Sequence, residues 1–270
     1  MAVSTYIMEH AEEAVRLDMK TDGERVYRQA RWAGIRPGMR VADIGCGSGK
    51  TTSFLHSLIQ PGGEIVGVDA SASRISHAVE NYGQPGIEFV CRDMYRPLDD
   101  LGLFDFIWVR FVLEYHASKS REIVANLARL LKPGGILCLI DLDNNCLGHF
   151  GLDERLGNTV SNIVSSLERD FDFDPYAGRK LYSYLYEHGF SNIAVEAAAH
   201  HLIYGELEDV DAYNWGKKVE VAAKRSGYSF AEYAGGYDEF VEQIMNFFAD
   251  PKRFTYTPII LCRGVKPSPS

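Results

Sequence analysis

Between Val41 and Lys50 the chain reads VADIGCGSGK, an apolar run that delivers Asp43 and then Gly45, Gly47 and Gly49 at alternate positions. A strand that turns directly into a helix passes its backbone close beneath whatever binds at the helix N-terminus, and glycines remove the side chains that would block the approach. The stretch reads as a loop for a nucleotide-type ligand. Spacing separates the loops of this kind. A dinucleotide fingerprint needs G-x-G-x-x-G, but here the third glycine comes one position early and Lys50 stands where it should be. A P-loop needs a glycine five positions before the Gly49-Lys50-Thr51 triplet, and that position is Ile44.

Further landmarks follow in order. A second apolar run, Glu64 to Val68, ends in Asp69, about the distance at which an acidic residue closing strand two grips a ribose diol. Phe89-Val90-Cys91-Arg92-Asp93-Met94, Phe104 to Val109, and Leu131-Lys132-Pro133-Gly134-Gly135 leading into Ile136 to Leu142 come next. With Asp43-x-Gly45-x-Gly47-x-Gly49 at its head, this ordered set, over roughly residues 38 to 143, resembles the class I S-adenosylmethionine-dependent methyltransferases.

The resemblance implies an S-adenosylmethionine cofactor, left as S-adenosylhomocysteine, and a site on named residues. Gly45, Cys46, Gly47 and Gly49 would line the cofactor, with Asp43 near its methionyl amino group. Asp69 would take both ribose hydroxyls, with Ala70 and Arg74 beside it, Asp93 would meet the adenine amino group, and Met94 would lie on the ring. Arg110, opening the loop after strand four, and Tyr6, near the start of the first helix, complete the expected cofactor set. Methyl transfer from a sulfonium is an in-line displacement, so alignment and exclusion of water matter more than covalent help. A hydroxyl or protonated-amine acceptor requires a proton acceptor, for which His116 after strand four is the first candidate and Tyr204 a lesser one, with His149, His200 and His201 near the same strand ends. A nucleophilic carbon or neutral amine needs none.

No metal is expected: Asp143-Asn144 imitates the pair of metal-assisted catechol methyltransferases, but those also need an acidic ligand after strand four, where this chain has Arg110. Neither an N/D-P-P-Y motif nor a Pro-Cys nucleophile points to DNA bases, and Phe111-Val112-Leu113-Glu114-Tyr115-His116 is similar to the quinone-biosynthesis and natural-product branch. The expected partner is a small-molecule acceptor, aromatic or apolar, and not nucleic acid. Two other readings stay open: a protein of this fold that binds S-adenosylmethionine without transferring methyl, as a sensor or scaffold, and an NAD-dependent oxidoreductase, which the glycine spacing disfavours.

The elements that must position these residues alternate. Strands near 40–44, 64–69, 87–91, 104–110 and 136–142 are separated by helices at 49–59, 71–82 and 119–131, the pattern of a parallel sheet. Ser4 or Thr5 can cap a first helix to about Lys20, and Asp22 a second to about Ala33. Past Asp143, helices are expected over Gly151 to Asp170 and Pro175 to His188, strand six at Ile193 to Ile203 and an antiparallel strand seven at Phe254 to Arg263. The expected fold is α/β, a Rossmann-like, mostly parallel sheet of seven strands in the order 3-2-1-4-5-7-6, with helices on both faces and a helical lid. Its expected segments are an N-terminal helical cap at 1–36, a cofactor-binding core at 37–143, helices and strand six at 144–203, a helical lid at 204–253 and a closing strand and tail at 254–270. Because a parallel strand ends and its antiparallel neighbour begins at the carboxyl edge, the lid must hang over the edge where ligands bind in such sheets. Most lid aromatics are expected to form a small core there.

At 270 residues with 46% apolar content the chain can bury one substantial core, and a net charge of −9 sets its average surface against nucleic acid. Five cysteines, an odd number without C-x-x-C spacing, fit a reducing compartment. With no apolar run of membrane-spanning length and carboxylates where a secretory signal would be basic and apolar, the expected location is cytoplasmic, the oligomeric state staying open, a homodimer included.

Overall fold

The computed structural model describes residues 13–268, so Tyr6 and the capping residues Ser4 and Thr5 lie outside the described residues. The chain runs α1 (Glu13–Lys20), α2 (Gly23–Ala33), β1 (Arg40–Ile44), α3 (Lys50–Ile59), β2 (Glu64–Asp69), α4 (Ala72–Tyr82), β3 (Ile87–Cys91), β4 (Phe104–Arg110), α5 (Ser120–Arg129) and β5 (Leu131–Leu142). Then follow β6 (His149–Phe150), α6 (Glu154–Phe171), α7 (Leu181–Glu187), β7 (Ser191–Ile203), α8 (Asp209–Ser226), α9 (Gly236–Ala249) and β8 (Phe254–Val265).

All these strands join one sheet in the order β3-β2-β1-β4-β5-β8, with β7 on the far edge of β8. β1 to β5 are parallel, and β8 runs antiparallel to both β5 and β7. This is the expected order once an added strand is counted: the two-residue β6 pairs with Phe254 and Thr255 at the start of β8 and makes the sheet eight-stranded. Two residues flanked by loops carry no periodicity from which a strand could be read.

Side chains alternate between two apolar layers. Ala42, Ile44, Ile107, Val109, Leu137 and Leu139 pack with α5 and α7, while Val41, Phe106, Trp108, Cys138 and Ile140 pack with α2 and α3. The alternation slips between Phe104 and Phe106, which face opposite layers, at the register irregularity with β5. By the same alternation Asp43 lies on the α3 side and Asp141 on the α5 side of one carboxyl edge.

Local capping sets the helix ends. Asp22 accepts from the Glu24 N–H at 3.0 Å and opens α2, and Gly34, at φ 98°, ends it. Asp153 accepts from the Leu156 N–H at 2.8 Å, which starts α6 three residues later than the sequence pattern suggests. α5 stops at Arg129 because Leu131 already pairs with Phe104 as β5. The helix expected from Pro175 resolves into a 3₁₀ turn at Gly178–Lys180 followed by α7.

A third apolar cluster stands apart from the sheet layers, built from α6, α8 and α9 with Phe173, Ile203 and Phe230. Trp215, Tyr233, Phe247 and Phe248 are buried in it, whereas Tyr204 and Tyr213 are exposed. No helix among the described residues is long and apolar enough to cross a membrane.

Candidate active site

β1 delivers Asp43 to the carboxyl edge, and the chain then turns sharply. The N–H groups of Gly45 and Cys46 both donate to the Val68 carbonyl, at 2.8 and 3.0 Å, which fastens the turn to the end of β2. Gly49 sits at φ 86° with no room for a side chain, since a Cβ there would lie 2.6 Å from Ala78 Cβ. Gly47, at φ 55°, faces Leu17 of α1, whose Cδ1 lies 2.9 Å from where a Cβ would project. No side chain caps the first turn of α3, so its leading N–H groups remain available to a ligand.

Asp69 is 5% exposed and its two oxygens organise the loop. Oδ2 accepts from the Gly47 N–H at 3.0 Å; Oδ1 accepts from the Ser71 N–H at 2.9 Å and from Arg74 Nε and Nη2 at 3.1 and 2.9 Å. Asp43, 2% exposed, accepts from Thr52 Oγ1 at 2.7 Å, and burial pushes its carboxyl up to about 7 against that bond and the nearby Arg110. Arg110 stacks on the Phe111 ring at 4.1 Å, and its Nε has no hydrogen-bond partner among the described residues. Burial lowers that guanidinium to about 10. Ala70 is exposed at the rim. Asp93 accepts from the Tyr95 N–H at 2.9 Å, a local turn that holds Met94 half-buried against the apolar layer. The glycine turn, Asp69 and Arg74 are thus bonded to one another, and Asp93 and Met94 lie in the loop after the adjoining β3.

α1 lies directly over this loop. Lys50 Nζ donates to the Asp18 carbonyl at 2.6 Å, and His77 Nε2 meets Asp18 Oδ2 at 2.9 Å. Two other residues of the same helix, Arg16 and Lys20, line a cavity with about 840 Å³ of empty space counted out to its open mouth. The apolar wall of the cavity comes from α6 (Ile163, Leu167), α8 (Trp215, Val219) and α9 (Phe240, Phe248), and its polar lining includes Asn145, His149 and Lys218.

Beneath the cavity two acidic groups are buried together. Glu114, 2% exposed, accepts from Asn145 Nδ2 at 2.7 Å, and its own N–H donates to Asp141 Oδ2 at 3.1 Å. Burial raises both carboxyls, Asp141 well above the ordinary range. Three non-glycine residues of these edge loops, Phe111, Asn144 and Cys146, hold φ of 58°, 51° and 66°. Such left-handed conformations cost about 1–3 kcal/mol each and concentrate where a loop is built for a ligand.

His116 does not line the cavity. Its Nδ1 lies 2.5 Å from the Tyr95 hydroxyl, and burial lowers its pKa. Tyr204 is 66% exposed and also stands outside. The lining histidine is His149, whose Nδ1 meets Thr255 Oγ1 at 2.9 Å and which burial lowers to about 4. His200 and His201 are adjacent rings, both pushed down by burial. Asp143 is bound by Arg179 at 2.8 and 3.1 Å, which occupies the carboxylate of the Asp143-Asn144 pair. Sequence reasoning passed over Lys20, Glu114, Asn145 and Lys218 as site residues. Only Glu114 and Asn145 left a signal, as polar residues in the loops after β4 and β5.

Residues 42–139 match the family model described as a methyltransferase domain. An uncharacterized methyltransferase of Synechocystis sp. is 34% identical over 110 residues, covering 40% of this chain and 49% of that protein. A ubiquinone biosynthesis O-methyltransferase of Bradyrhizobium sp. is 32% identical over 120 residues, 44% of this chain and 46% of the relative. The chain therefore spans about half the length of the curated relatives it matches. Among solved structures, Haemonchus contortus phosphoethanolamine N-methyltransferase 2, in complex with phosphomonomethylethanolamine and S-adenosylhomocysteine, superposes with a TM-score of 0.60 at 17% identity, covering 99% of this chain and 61% of that one. The fold is that of the class I S-adenosylmethionine-dependent methyltransferases. Within it, residues 42–139 carry the match to the methyltransferase domain.

Proposed function

We propose that the protein is an S-adenosylmethionine-dependent methyltransferase that passes the methyl group in line to a small molecule held in the cavity beneath α6, α8 and α9. One observation carries this reading: a single helix, α1, touches the glycine loop through Leu17 and lines the cavity through Lys20, so the two sites stand within about one helix diameter of each other. The bound donor supplies a sulfonium-activated methyl group. The chain's own contribution is to hold both partners in line and keep water out.

In this reading residues 37–143 hold the donor and the three cap helices the acceptor. The backbone of Gly45, Cys46, Gly47 and Gly49 cradles the donor, and Asp43 and Arg110 meet its amino-acid end. Asp69 exchanges the Gly47 and Arg74 bonds for ribose hydroxyls, with Ala70 at the rim, while Asp93 and Met94 take the adenine. Leu17 must withdraw from Gly47 for this to happen, so α1 moves on binding. His149, the histidine on the cavity wall, is the proton acceptor for a hydroxyl or protonated-amine acceptor, ahead of His116 and Tyr204, which lie outside. A sequence relative is named for O-methylation and a protein of this fold for N-methylation, so the residues around the acceptor, not the fold, choose the atom. The cavity also weighs against a mere sensor or scaffold, which has no use for an acceptor site.

Calorimetry with S-adenosylmethionine tests the donor half. Asp69→Asn, which keeps an oxygen for Arg74, is expected to weaken binding tenfold or more, since about 1.4 kcal/mol gives a factor of ten. Unchanged affinity in the folded variant removes Asp69 from the site, and NADH binding in place of the sulfonium donor overturns the reading as a whole. Transfer of labelled methyl into a metabolite extract tests the acceptor half.

A further inference from the structure

The cavity wall is mostly apolar, but three cations, Arg16, Lys20 and Lys218, line it and act on one another. Arg16 is spoken for: its Nε and Nη2 donate to the two oxygens of Glu13, both at 2.7 Å, in a buried bidentate pair. Lys218 Nζ reaches Asn145 Oδ1 at 3.3 Å and stands 4.9 Å from the centre of the Trp215 ring. Lys20 Nζ stands 5.2 Å from the centre of the Phe111 ring and makes no hydrogen bond to any described residue.

The facing carboxylate is already engaged. Glu114 is the nearby carboxylate; it already accepts from Asn145, and burial raises its carboxyl while Lys218 and Lys20 pull it down. Burial brings Lys20 down to about 7, with Lys218 and Arg16 pushing the same way and Glu114 opposing. An ammonium taken out of water without a strong counter-ion is costly, and an incoming anion recovers much of that cost because the local dielectric is low. The ring faces of Phe111 and Trp215 hold the two lysines in the meantime.

We propose that the acceptor is an anionic amphiphile, a carboxylate or comparable monoanion on an apolar body, with its charged end between Lys20 and Lys218 and its body against Leu167, Trp215, Phe240 and Phe248. This rests on the cavity being the acceptor site proposed above. It also orients the acceptor: the charged end lies against α1, the helix that touches the glycine loop, so the atom to be methylated sits at or near that end while the apolar body fills the cap.

The test uses octanoate against 1-octanol, which share an apolar chain and differ in charge, bound to the full chain and followed by calorimetry and tryptophan fluorescence. Octanoate is expected to bind at least tenfold more tightly, and the double variant Lys20→Met, Lys218→Met to bind the two within about twofold while still binding octanol. Methionine keeps the length of the stem without its charge, so the fold is expected to survive, which circular dichroism checks. Equal binding of acid and alcohol by the parent protein, no binding of octanoate, or an acid preference that persists in the double variant overturns the proposal. S-adenosylmethionine is titrated into the same samples. Donor binding without acid preference defeats only this inference, and acid preference without donor binding defeats the proposed function and with it the acceptor role of the bound anion, while the anion site itself stands.

Discussion

The glycine loop and the cap cavity stand on two sides of one helix and are built on opposite plans. At the loop, polar groups are partnered by neighbours one strand or helix away: Asp43 by Thr52, Asp69 by Gly47, Ser71 and Arg74. At the cavity, groups are brought together from Lys20, Glu114, Asn145 and Lys218, and Lys20 is left without a hydrogen bond among the described residues. The loop's polar groups are therefore satisfied from within, while at the cavity Lys20 meets a ring face. In the proposed function the loop meets the constant donor and the cavity the variable acceptor, and the two constructions match that division.

The sharpest way to break this contrast is to disturb the loop by one methyl. Gly49→Ala places a Cβ 2.6 Å from Ala78 Cβ and 2.9 Å from the Phe89 ring at φ 86°, and neither neighbour can swing away. A loss of about 3 kcal/mol in urea unfolding is expected. A loss under 1 kcal/mol would mean that the loop is as pliable as the cap.

A smaller effect comes from Asp43. Its carboxyl is raised to about 7 in the folded chain by burial, so the folded state keeps a proton that the unfolded chain releases near pH 4. The sign follows: the folded state binds more protons in this window, so stability falls as pH rises from about 4 to about 7. Asp43→Asn removes that component, and its stability should fall by about 2–3 kcal/mol less than the parent's between pH 5 and 7. Glu114 and Asp141, also raised, contribute alike to both proteins and cancel in the difference. Parallel pH profiles would show Asp43 ionised at neutral pH.

The smallest effect sharpens the boundary of the cavity. His116 is held by Tyr95 outside the lining, so His116→Gln should leave methyl transfer within about twofold once the acceptor is known. A hundredfold loss in kcat with unchanged KM would carry the proton-acceptor role out of the cavity and back to this loop.

Much of the sheet was legible before any coordinates. The spans of β1 to β4 agree with the alternation of apolar runs and helices; β1, β2 and β4 are buried along most of their length, and a parallel strand buried on both faces is written as a near-continuous apolar stretch. The loop was legible for a related reason: glycine is needed where φ is positive and a second chain segment approaches, and both conditions hold at Gly49. What escaped was short or non-local. β6 is too brief to show a period, and α6 starts where Asp153 bonds Leu156, a choice among several possible caps. His116 looked the better-placed histidine because strand four ends nearby, but the loop carries it toward Tyr95, while His149 reaches the cavity from the far side of β5.

From its residues alone, then, this chain determined an α/β sheet with a glycine turn and a carboxylate at the end of the second strand. Those features are marked by local residue types, glycines at a turn and apolar runs that end in a carboxylate. Only the packed structure decided that α1 lies over the turn, that Lys20 and Lys218 face the same pocket, and that Asp43 holds its proton near neutrality. Each of those outcomes comes from burial or from contacts between separate elements, quantities that no local pattern of residue types contains.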